Sequence, residues 1–126
     1  MTANTSFSGS KRILCANHNE ATGELMRLWL RLFGYEPVIT TSIPDTLEQA
    51  SVGGFALYIL DTWLGQGNGI DLCKRIRASD RDTPIMFYSG EGYQTDIQRA
   101  LDAGAQEYVV KPDFEKLELS IDRLIH

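Results

Sequence analysis

Three polar residues follow three separate apolar runs of the sequence, and their side chains have complementary chemistry. They are Asp61 after 55–60, Ser89 after 84–88 and Lys111 after 108–110. Each residue alone has an ordinary explanation as a turn residue or as a polar exit from a strand. Together, a carboxylate can attack phosphorus while a hydroxyl and an ammonium bind the transferred oxygens. The three residues therefore predict a phosphoryl site if the fold brings them together.

The apolar runs alternate with helical patterns, which predicts a parallel sheet covered by helices on both sides. Strands are predicted at 13–16, 38–41, 55–60, 84–88 and 108–110, and the helical patterns between and after them begin near residues 20, 44, 70, 97 and 114. We therefore expect a doubly wound α/β fold. Ligands of such sheets bind beyond the carboxyl ends of the strands, which is where the three polar residues stand.

The first and last helical patterns carry the clearest periodicity. In the first, 20–33, charged residues recur on one side, and the apolar residues predicted to face the core are Leu25, Leu28, Trp29 and Leu32. In the last, the inward residues are predicted to be Phe114, Leu117, Ile121 and Leu124. Spacings of three and four residues are typical of one face of an amphipathic helix.

Length and composition exclude several classes of protein. The 126 residues carry a formal net charge of -5 and are 43% hydrophobic, which fits one globular domain. The longest apolar run, 55–60, is far shorter than the roughly 20 residues that span a bilayer. Basic residues are scattered along the chain, which disfavours nucleic-acid binding. Residues 1–10 are polar and lack the charged-then-apolar order of a signal peptide. We therefore expect a flexible tail over 1–10 and one cytoplasmic domain over 11–126.

Two cysteines, Cys15 and Cys73, lie inside apolar patterns, and neither belongs to a CxxC or Cys/His cluster. This context predicts two reduced, buried thiols rather than a disulfide or a zinc site.

On these patterns the chain resembles the receiver domain of bacterial two-component response regulators, especially the stand-alone kind typified by the chemotaxis regulator. The segments that carry the resemblance keep the family's order from residue 11 to residue 125, and they are KRIL (11–14), FGYEP (33–37), ALYILD (56–61), GNGIDLCKRIR (67–77), TPIMFYSG (83–90) and ALDAGAQEYVVKP (100–112). The resemblance implies a flavodoxin-like (βα)5 fold with strand order 2-1-3-4-5.

The resemblance also implies a role for each site residue. Asp61 corresponds to the phosphoacceptor and Lys111 to the phosphate-binding lysine. Ser89 corresponds to the hydroxyl that shifts toward the phosphoryl group, and Tyr108 to the aromatic switch that then turns inward. Trp63 occupies the position whose main-chain carbonyl ligates Mg²⁺.

The implied partners are a histidine kinase or phosphotransfer protein upstream and a protein target downstream. Signal would pass through the face formed by the fourth helix, fifth strand and fifth helix, which is also a candidate homodimer face. We expect any output to pass through another chain.

The sequence departs from the family where two acids should follow the first strand. Asn17 and His18 stand there, so Asp61 is the only nearby acid. Mg²⁺ favours carboxylate oxygens, and the site's formal charge changes from about −2 to about zero at reference pKa values. Mg²⁺ binding and Mg²⁺-dependent phosphorylation are therefore expected to be impaired. A transition metal held by His18 and Asp61 would have only two ligands.

Glycines in the loops after the third and fourth strands, at 65, 67, 69, 90 and 92, predict a plastic surface beside the site. Turn geometry is sufficient to explain Gly69, which precedes a helix.

Three hypotheses remain open at this point. The first is a phosphoacceptor receiver that responds slowly, and the second is a degenerate receiver that acts only as a binding or dimerisation module. The third is an enzyme on the same architecture. A phosphatase of the haloacid-dehalogenase type would need an acid at Trp63, and a flavin carrier would need a hydroxyl-rich loop at 17–20. These differences lead us to expect a protein that is not an enzyme.

Overall fold

The computed structural model of the protein describes residues 10–65 and 67–126. The predicted tail, 1–10, lies outside the described residues except for Ser10, which is exposed. The strands are β1 (Arg12–Ala16), β2 (Glu36–Thr40), β3 (Leu57–Leu60), β4 (Ile85–Ser89) and β5 (Glu107–Val110). The helices are α1 (Glu20–Leu32), α2 (Ile43–Val52), α3 (Gly69–Ser79), α4 (Gln94–Asp102) and α5 (Phe114–Ile125).

All strand pairings are parallel, and the strand order is β2-β1-β3-β4-β5. The predicted doubly wound fold and its strand order are thus confirmed. β2 begins two residues earlier than predicted and includes Pro37, which the sheet tolerates because β2 is an edge strand. Within the described ranges, no helix is both long and apolar enough to cross a membrane.

Each face of the sheet has its own hydrophobic core. One core contains Tyr58, Phe87 and Tyr108 from the sheet and is covered by α2, α3 and α4. The other contains Ile59 and Met86 and is covered by α1 and α5. Strands buried on both faces are continuously apolar, and for this reason their polar residues are confined to the strand ends. The thiols of Cys15 and Cys73 are free and buried, one in each core, as predicted.

The predicted inner face of α1 is confirmed at Trp29, which packs against the core, and is wrong at the three leucines. Leu25, Leu28 and Leu32 are exposed, whereas Met26 and Leu30 are buried. The reason is that apolar residues cover more than half of the circumference of α1, so periodicity alone does not identify the side that packs. The packing side also contains Gly23, where an added Cβ would lie 3.0 Å from Ile39, so the glycine permits close approach to β2. The predicted inner residues of α5 do pack on the core.

Candidate functional site

Asp61 follows the last residue of β3 and is 7% exposed. Its two carboxylate oxygens have different partners. Oδ1 accepts a hydrogen bond from the Ser89 hydroxyl at 3.0 Å and from the main-chain N–H of Trp63 at 3.3 Å. Oδ2 accepts from the Lys111 ammonium at 2.7 Å. The structure thus brings together the three side chains that the sequence predicts as a phosphoryl site.

The hydroxyl of Ser89 belongs to a small buried network. Its Oγ lies 2.6 Å from the hydroxyl of Thr62, and it accepts from the main-chain N–H of Glu91 at 3.3 Å. Thr62 is not among the predicted site residues. Its position directly after Asp61 is the signal that could have identified it. Asp61 and Thr62 both follow β3, and β3 pairs with β4, so both residues lie near Ser89 at the end of β4. Ser89 is therefore held toward Asp61 from several sides.

Lys111 follows β5, which is separated from β3 by β4, and its side chain reaches across the end of β4 to Asp61. Its main-chain N–H donates to the carbonyl of Ser89 at 2.8 Å, and this bond fixes the start of its side chain beside β4. The ammonium lies 5.6 Å from the centroid of the Tyr88 ring. The Lys111 side chain is 21% exposed and that of Asp61 is 9% exposed. The ion pair is therefore largely shielded from water, and removing either partner would leave the other charge poorly solvated.

Tyr108 lies inward, in the core beneath α4. Its ring stacks on Phe87 with centroids 5.7 Å apart, and the residue is 9% exposed. The phenol donates a hydrogen bond to the carbonyl of Glu91 in the loop after β4. Burial raises the pKa of the phenol above its ordinary value, so the hydroxyl keeps its proton. This contact and the Ser89 bond to Glu91 both tie the loop after β4 to the site.

Asn17 and His18 occupy the loop after β1 and are engaged in other contacts. The Asn17 side chain is buried, and its amide oxygen accepts from the main-chain N–H of Asn19 at 3.0 Å. His18 is exposed, and its Nδ1 lies 3.1 Å from the main-chain oxygen of Trp63. A carbonyl can only accept a hydrogen bond, so Nδ1 carries the proton. His18 therefore contacts the same carbonyl that the family resemblance assigns to Mg²⁺.

The residues at this site fit Mg²⁺ poorly. The amide oxygen of Asn17 is bonded within its own loop, the carbonyl of Trp63 accepts from His18, and both oxygens of Asp61 accept from donors. Among the described residues, no group of three or more His, Cys, Asp or Glu side chains could hold a metal ion. Mg²⁺ requires oxygen ligands in near-octahedral geometry. The donors around Asp61 instead occupy the oxygens with hydrogen bonds.

Gly69 supports the site through close packing. Its main-chain N–H donates to the carbonyl of Thr62 at 2.9 Å, and an added Cβ would lie 1.9 Å from the carbonyl oxygen of Asp61. Gly69 does not have the positive φ that a left-handed turn requires. The turn explanation for this glycine is therefore wrong, because the position needs glycine so that α3 can approach the end of β3.

The fold, together with the cluster of Asp61, Ser89 and Lys111 at the ends of three strands, defines an α/β domain of the receiver class. The chain matches the response regulator receiver domain family over residues 13–122. It is 33% identical over 107 residues to the uncharacterized transcriptional regulatory protein YkoG of Bacillus subtilis strain 168, a match that covers 85% of this chain and 46% of YkoG. The chain belongs to the response regulator receiver domain family, as its motifs predicted.

Two solved structures show the same likeness. The non-phosphorylated receiver domain of HemR from Leptospira biflexa superposes with a TM-score of 0.84 at 27% identity, covering 90% of this chain and 93% of that domain. The response regulator TrrA from Thermotoga maritima, in complex with Mg²⁺ and BeF, gives a TM-score of 0.81 at 28% identity, covering 90% of this chain and 97% of TrrA. This chain spans about half the length of the curated relatives it matches.

Proposed function

We propose that this receiver domain is a protein-interaction module of two-component signalling whose switch residues are set without a phosphoryl group. The observation that carries the proposal is the contact between Ser89 and Asp61, whose Oγ and Oδ1 atoms are 3.0 Å apart. In the family that the sequence resembles, this hydroxyl moves toward a phosphoryl group on the acceptor. Here the hydroxyl already bonds the acceptor carboxylate, and the Lys111 ammonium neutralises that carboxylate at 2.7 Å.

The position of Tyr108 supports the same conclusion. The family's aromatic switch turns inward when the hydroxyl moves, and Tyr108 is already stacked on Phe87 and bonded to the carbonyl of Glu91. When the equilibrium between the outward and inward positions of Tyr108 already favours the inward position, a ligand that favours the same position can shift it only slightly. Phosphorylation of Asp61 would therefore add little to the output of this domain.

The surroundings of Asp61 also support weak phosphorylation. In this family Mg²⁺ would neutralise the charge of the acceptor and of the phosphoryl group, but Asn17 and His18 supply no carboxylate to hold it. We expect Mg²⁺ affinity to be low and phosphorylation by a histidine kinase or phosphotransfer protein to be negligible.

The face of α4, β5 and α5 is the proposed output surface. It presents Leu101 and Val110, each 37% exposed, beside the elements that hold Tyr108 and Lys111. A downstream protein is the proposed partner of this face, and a second copy of the chain is the other candidate. Tyr108 links the face to the site, since its ring lies under α4 and its hydroxyl bonds the loop after β4.

A slow phosphoacceptor is the second candidate function. The observation in its favour is that Asp61, Ser89 and Lys111 still converge, because these are the groups that attack phosphorus and bind the transferred oxygens. Incubation with acetyl phosphate and Mg²⁺, followed by intact-mass measurement, separates the two functions. We expect no gain of a phosphoryl group by the wild-type protein. An Asp61-dependent gain, lost in Asp61→Asn, would support the second candidate and contradict the first.

A positive control makes a negative result informative. The double variant Asn17→Asp, His18→Asp restores the missing acids and is expected to take up one phosphoryl group under the same conditions.

Hydrogen exchange gives a second readout of the switch. Mg²⁺ with beryllofluoride, the pair bound by TrrA, should leave amide exchange in the loop after β4 and in α4 unchanged in the wild-type protein. A clear increase in protection there would show that the switch is not already set.

A further inference from the structure

The hydroxyl of Ser89 uses all of its hydrogen-bonding capacity. A serine hydroxyl has one proton to donate and two lone pairs that accept. Ser89 Oγ has three partners, which are Oδ1 of Asp61 at 3.0 Å, Oγ1 of Thr62 at 2.6 Å and the main-chain N–H of Glu91 at 3.3 Å. The direction of each bond therefore follows from what each partner is able to donate or accept.

Two of the three partners of Ser89 have only one possible role. The Asp61 carboxylate, which pairs with the Lys111 ammonium at 2.7 Å, accepts and does not donate. The main-chain N–H of Glu91 can only donate. The single proton of Ser89 is thus used on Asp61, and the contact at 2.6 Å requires the proton of Thr62. Thr62 donates to Ser89, and Ser89 donates to Asp61.

The fold fixes the position from which Thr62 donates. Thr62 is 8% exposed, and its carbonyl accepts from the main-chain N–H of Gly69 at 2.9 Å. A threonine side chain is branched at Cβ, which restricts its rotamers. The Thr62 hydroxyl is therefore held against Ser89 by a buried main chain and a stiff side chain.

Thr62 also lies beside the aromatic switch residue. Burial is the largest influence on the pKa of the Tyr108 phenol and raises it, whereas the Ser89 and Thr62 hydroxyls lower it as hydrogen-bond partners. One threonine hydroxyl thus neighbours both residues that the family resemblance assigns to the switch. Moving Ser89 away from Asp61 also requires breaking its bond with Thr62, and an unpaired hydroxyl is costly at a buried site.

We propose that Thr62 is a positioning residue that directs the hydroxyl proton of Ser89 to Asp61. This role rests on the proposed function, in which the bond from Thr62 keeps Ser89 on Asp61 without a phosphoryl group. The role requires a hydroxyl, because an apolar side chain of the same shape leaves a lone pair of Ser89 unpaired and lets the Ser89 hydroxyl rotate. Packing alone requires only the shape. Thr62→Val keeps the shape and Thr62→Ser keeps the hydroxyl, so the two variants separate these explanations.

The first test follows the Ser89 hydroxyl proton by NMR in serine-labelled protein, with Ser89→Ala to assign the resonance. We expect this proton to exchange with water at least about tenfold faster in Thr62→Val than in the wild-type protein, the effect of losing one hydrogen bond. Thr62→Ser should keep close to the wild-type rate. Ser120 is an internal reference, because its buried hydroxyl also donates to a carboxylate, Oε1 of Glu107 at 2.8 Å. The Ser120 proton should exchange at the same rate in all variants.

Thr46→Val is the matched control for the loss of a buried threonine hydroxyl. Thr46 is buried, and its Oγ1 lies 2.7 Å from Oγ1 of Thr40, between α2 and β2. This variant should leave exchange of the Ser89 proton unchanged, and circular dichroism establishes that each variant is folded. Three results would each overturn the proposal: no slowly exchanging Ser89 proton in the wild-type protein, an unchanged rate in Thr62→Val, or equally fast exchange in Thr62→Ser.

A second test separates the role of Thr62 from the proposed function. Mg²⁺ with beryllofluoride is added to the Asn17→Asp, His18→Asp variant, and amide exchange is followed in the loop after β4 and in α4. We expect little change in this variant, alone or with Thr62→Ser, and a clear increase in protection after adding Thr62→Val, because the ligand then has a switch to shift. The same small change after adding Thr62→Val would overturn the proposal. An increase in the Asn17→Asp, His18→Asp variant itself would contradict the proposed function, while the exchange rates of the Ser89 proton would still decide the role of Thr62.

Discussion

The Nδ1 atom of His18 lies 3.1 Å from the main-chain oxygen of Trp63, and this hydrogen bond joins the loop after β1 to the loop after β3. The same pair of residues also makes an edge-to-face ring contact, with centroids 6.4 Å apart. At the position that the resemblance assigns to the second metal-binding acid, this chain thus has a hydrogen-bond donor, and the donor bonds the carbonyl that the resemblance assigns to Mg²⁺. Histidine at this position therefore does more than remove a negative charge, because it also adds a hydrogen bond to that carbonyl.

The first prediction concerns Mg²⁺ affinity. Asn17→Asp, His18→Asp should bind Mg²⁺ at least about tenfold more tightly than the wild-type protein, since each unit-charge contact near 4 Å contributes about 1 to 4 kcal/mol at the protein surface. The exposed indole of Trp63 lies beside the site, so quenching of tryptophan fluorescence can follow the titration.

The control is His18→Ala, which frees the Trp63 carbonyl without adding charge. It should gain much less affinity than the double variant. Equal affinity in the wild-type protein and the double variant would show that the missing acids are not the limiting defect.

The second prediction concerns the free energy of unfolding. Lys111→Met should lower it by about 2–3 kcal/mol, because the carboxylate of Asp61 is left buried with one strong donor removed. Urea unfolding of Asp61→Asn, Lys111→Met and the double variant forms a double-mutant cycle. We expect a coupling energy of about 1–3 kcal/mol between the two residues.

The exposed pair Glu24 and Arg27, at 3.2 Å, is the matched control. The cycle of Glu24→Gln and Arg27→Met should give about 0.3–0.5 kcal/mol, as is usual for neighbours on one helix. Equal coupling in the two cycles would mean that burial does not strengthen the Asp61 pair.

The fold could be predicted from the sequence because its signals are local and repeated. Apolar runs bounded by turn residues define the strands, and alternation with helices defines the parallel sheet. The convergence of Asp61, Ser89 and Lys111 follows from this topology alone, since the carboxyl ends of parallel strands meet at one edge.

Other features of the site depend on contacts that the sequence does not encode locally. His18 and Trp63 are 45 residues apart and meet only because two loops fold toward each other. Thr62 carries no signal beyond its place after Asp61. The prediction for α1 is wrong at Leu25, Leu28 and Leu32 because apolar residues cover more than half of the helix, and the close approach of Gly23 to Ile39 is a tertiary contact that the sequence does not encode locally.

The third prediction concerns Gly69. Gly69→Ala should lower the free energy of unfolding by about 3 kcal/mol, the upper part of the range for overpacking, because the new methyl group would lie 1.9 Å from the Asp61 carbonyl oxygen. Backbone movement that relieves this clash should also displace the Asp61 side chain from Lys111. Gly90→Ala is the control, since an added Cβ there meets no atom within 4 Å. It should change stability by less than about 0.5 kcal/mol, and similar losses at both positions would argue against the close-approach explanation.

The fourth prediction concerns pH and the pair Glu107 and Arg123. The Nε of Arg123 donates to Oε2 of Glu107 at 2.7 Å, and the Ser120 hydroxyl donates to Oε1 at 2.8 Å. The Arg123 hydrogen bond is the main reason that the pKa of Glu107 is lowered from 4.5 in the folded protein. The folded state therefore binds this proton less readily than the unfolded state, so the contribution to stability is complete above pH 4.5 and is lost as pH falls through the lower, folded pKa.

Urea unfolding of the wild-type protein and Glu107→Gln between pH 7 and pH 3 measures this contribution. The difference in unfolding free energy between the two proteins should be constant from pH 7 to about pH 5 and should then shrink as the pH falls below the unfolded value. Glu115→Gln, which removes an exposed carboxylate of α5 that forms no ion pair with any described residue, is the control for the loss of one negative charge from the protein. Parallel curves for the wild-type protein and Glu107→Gln at all pH values would contradict the prediction, because the charge of Glu107 would then make no net difference to folding.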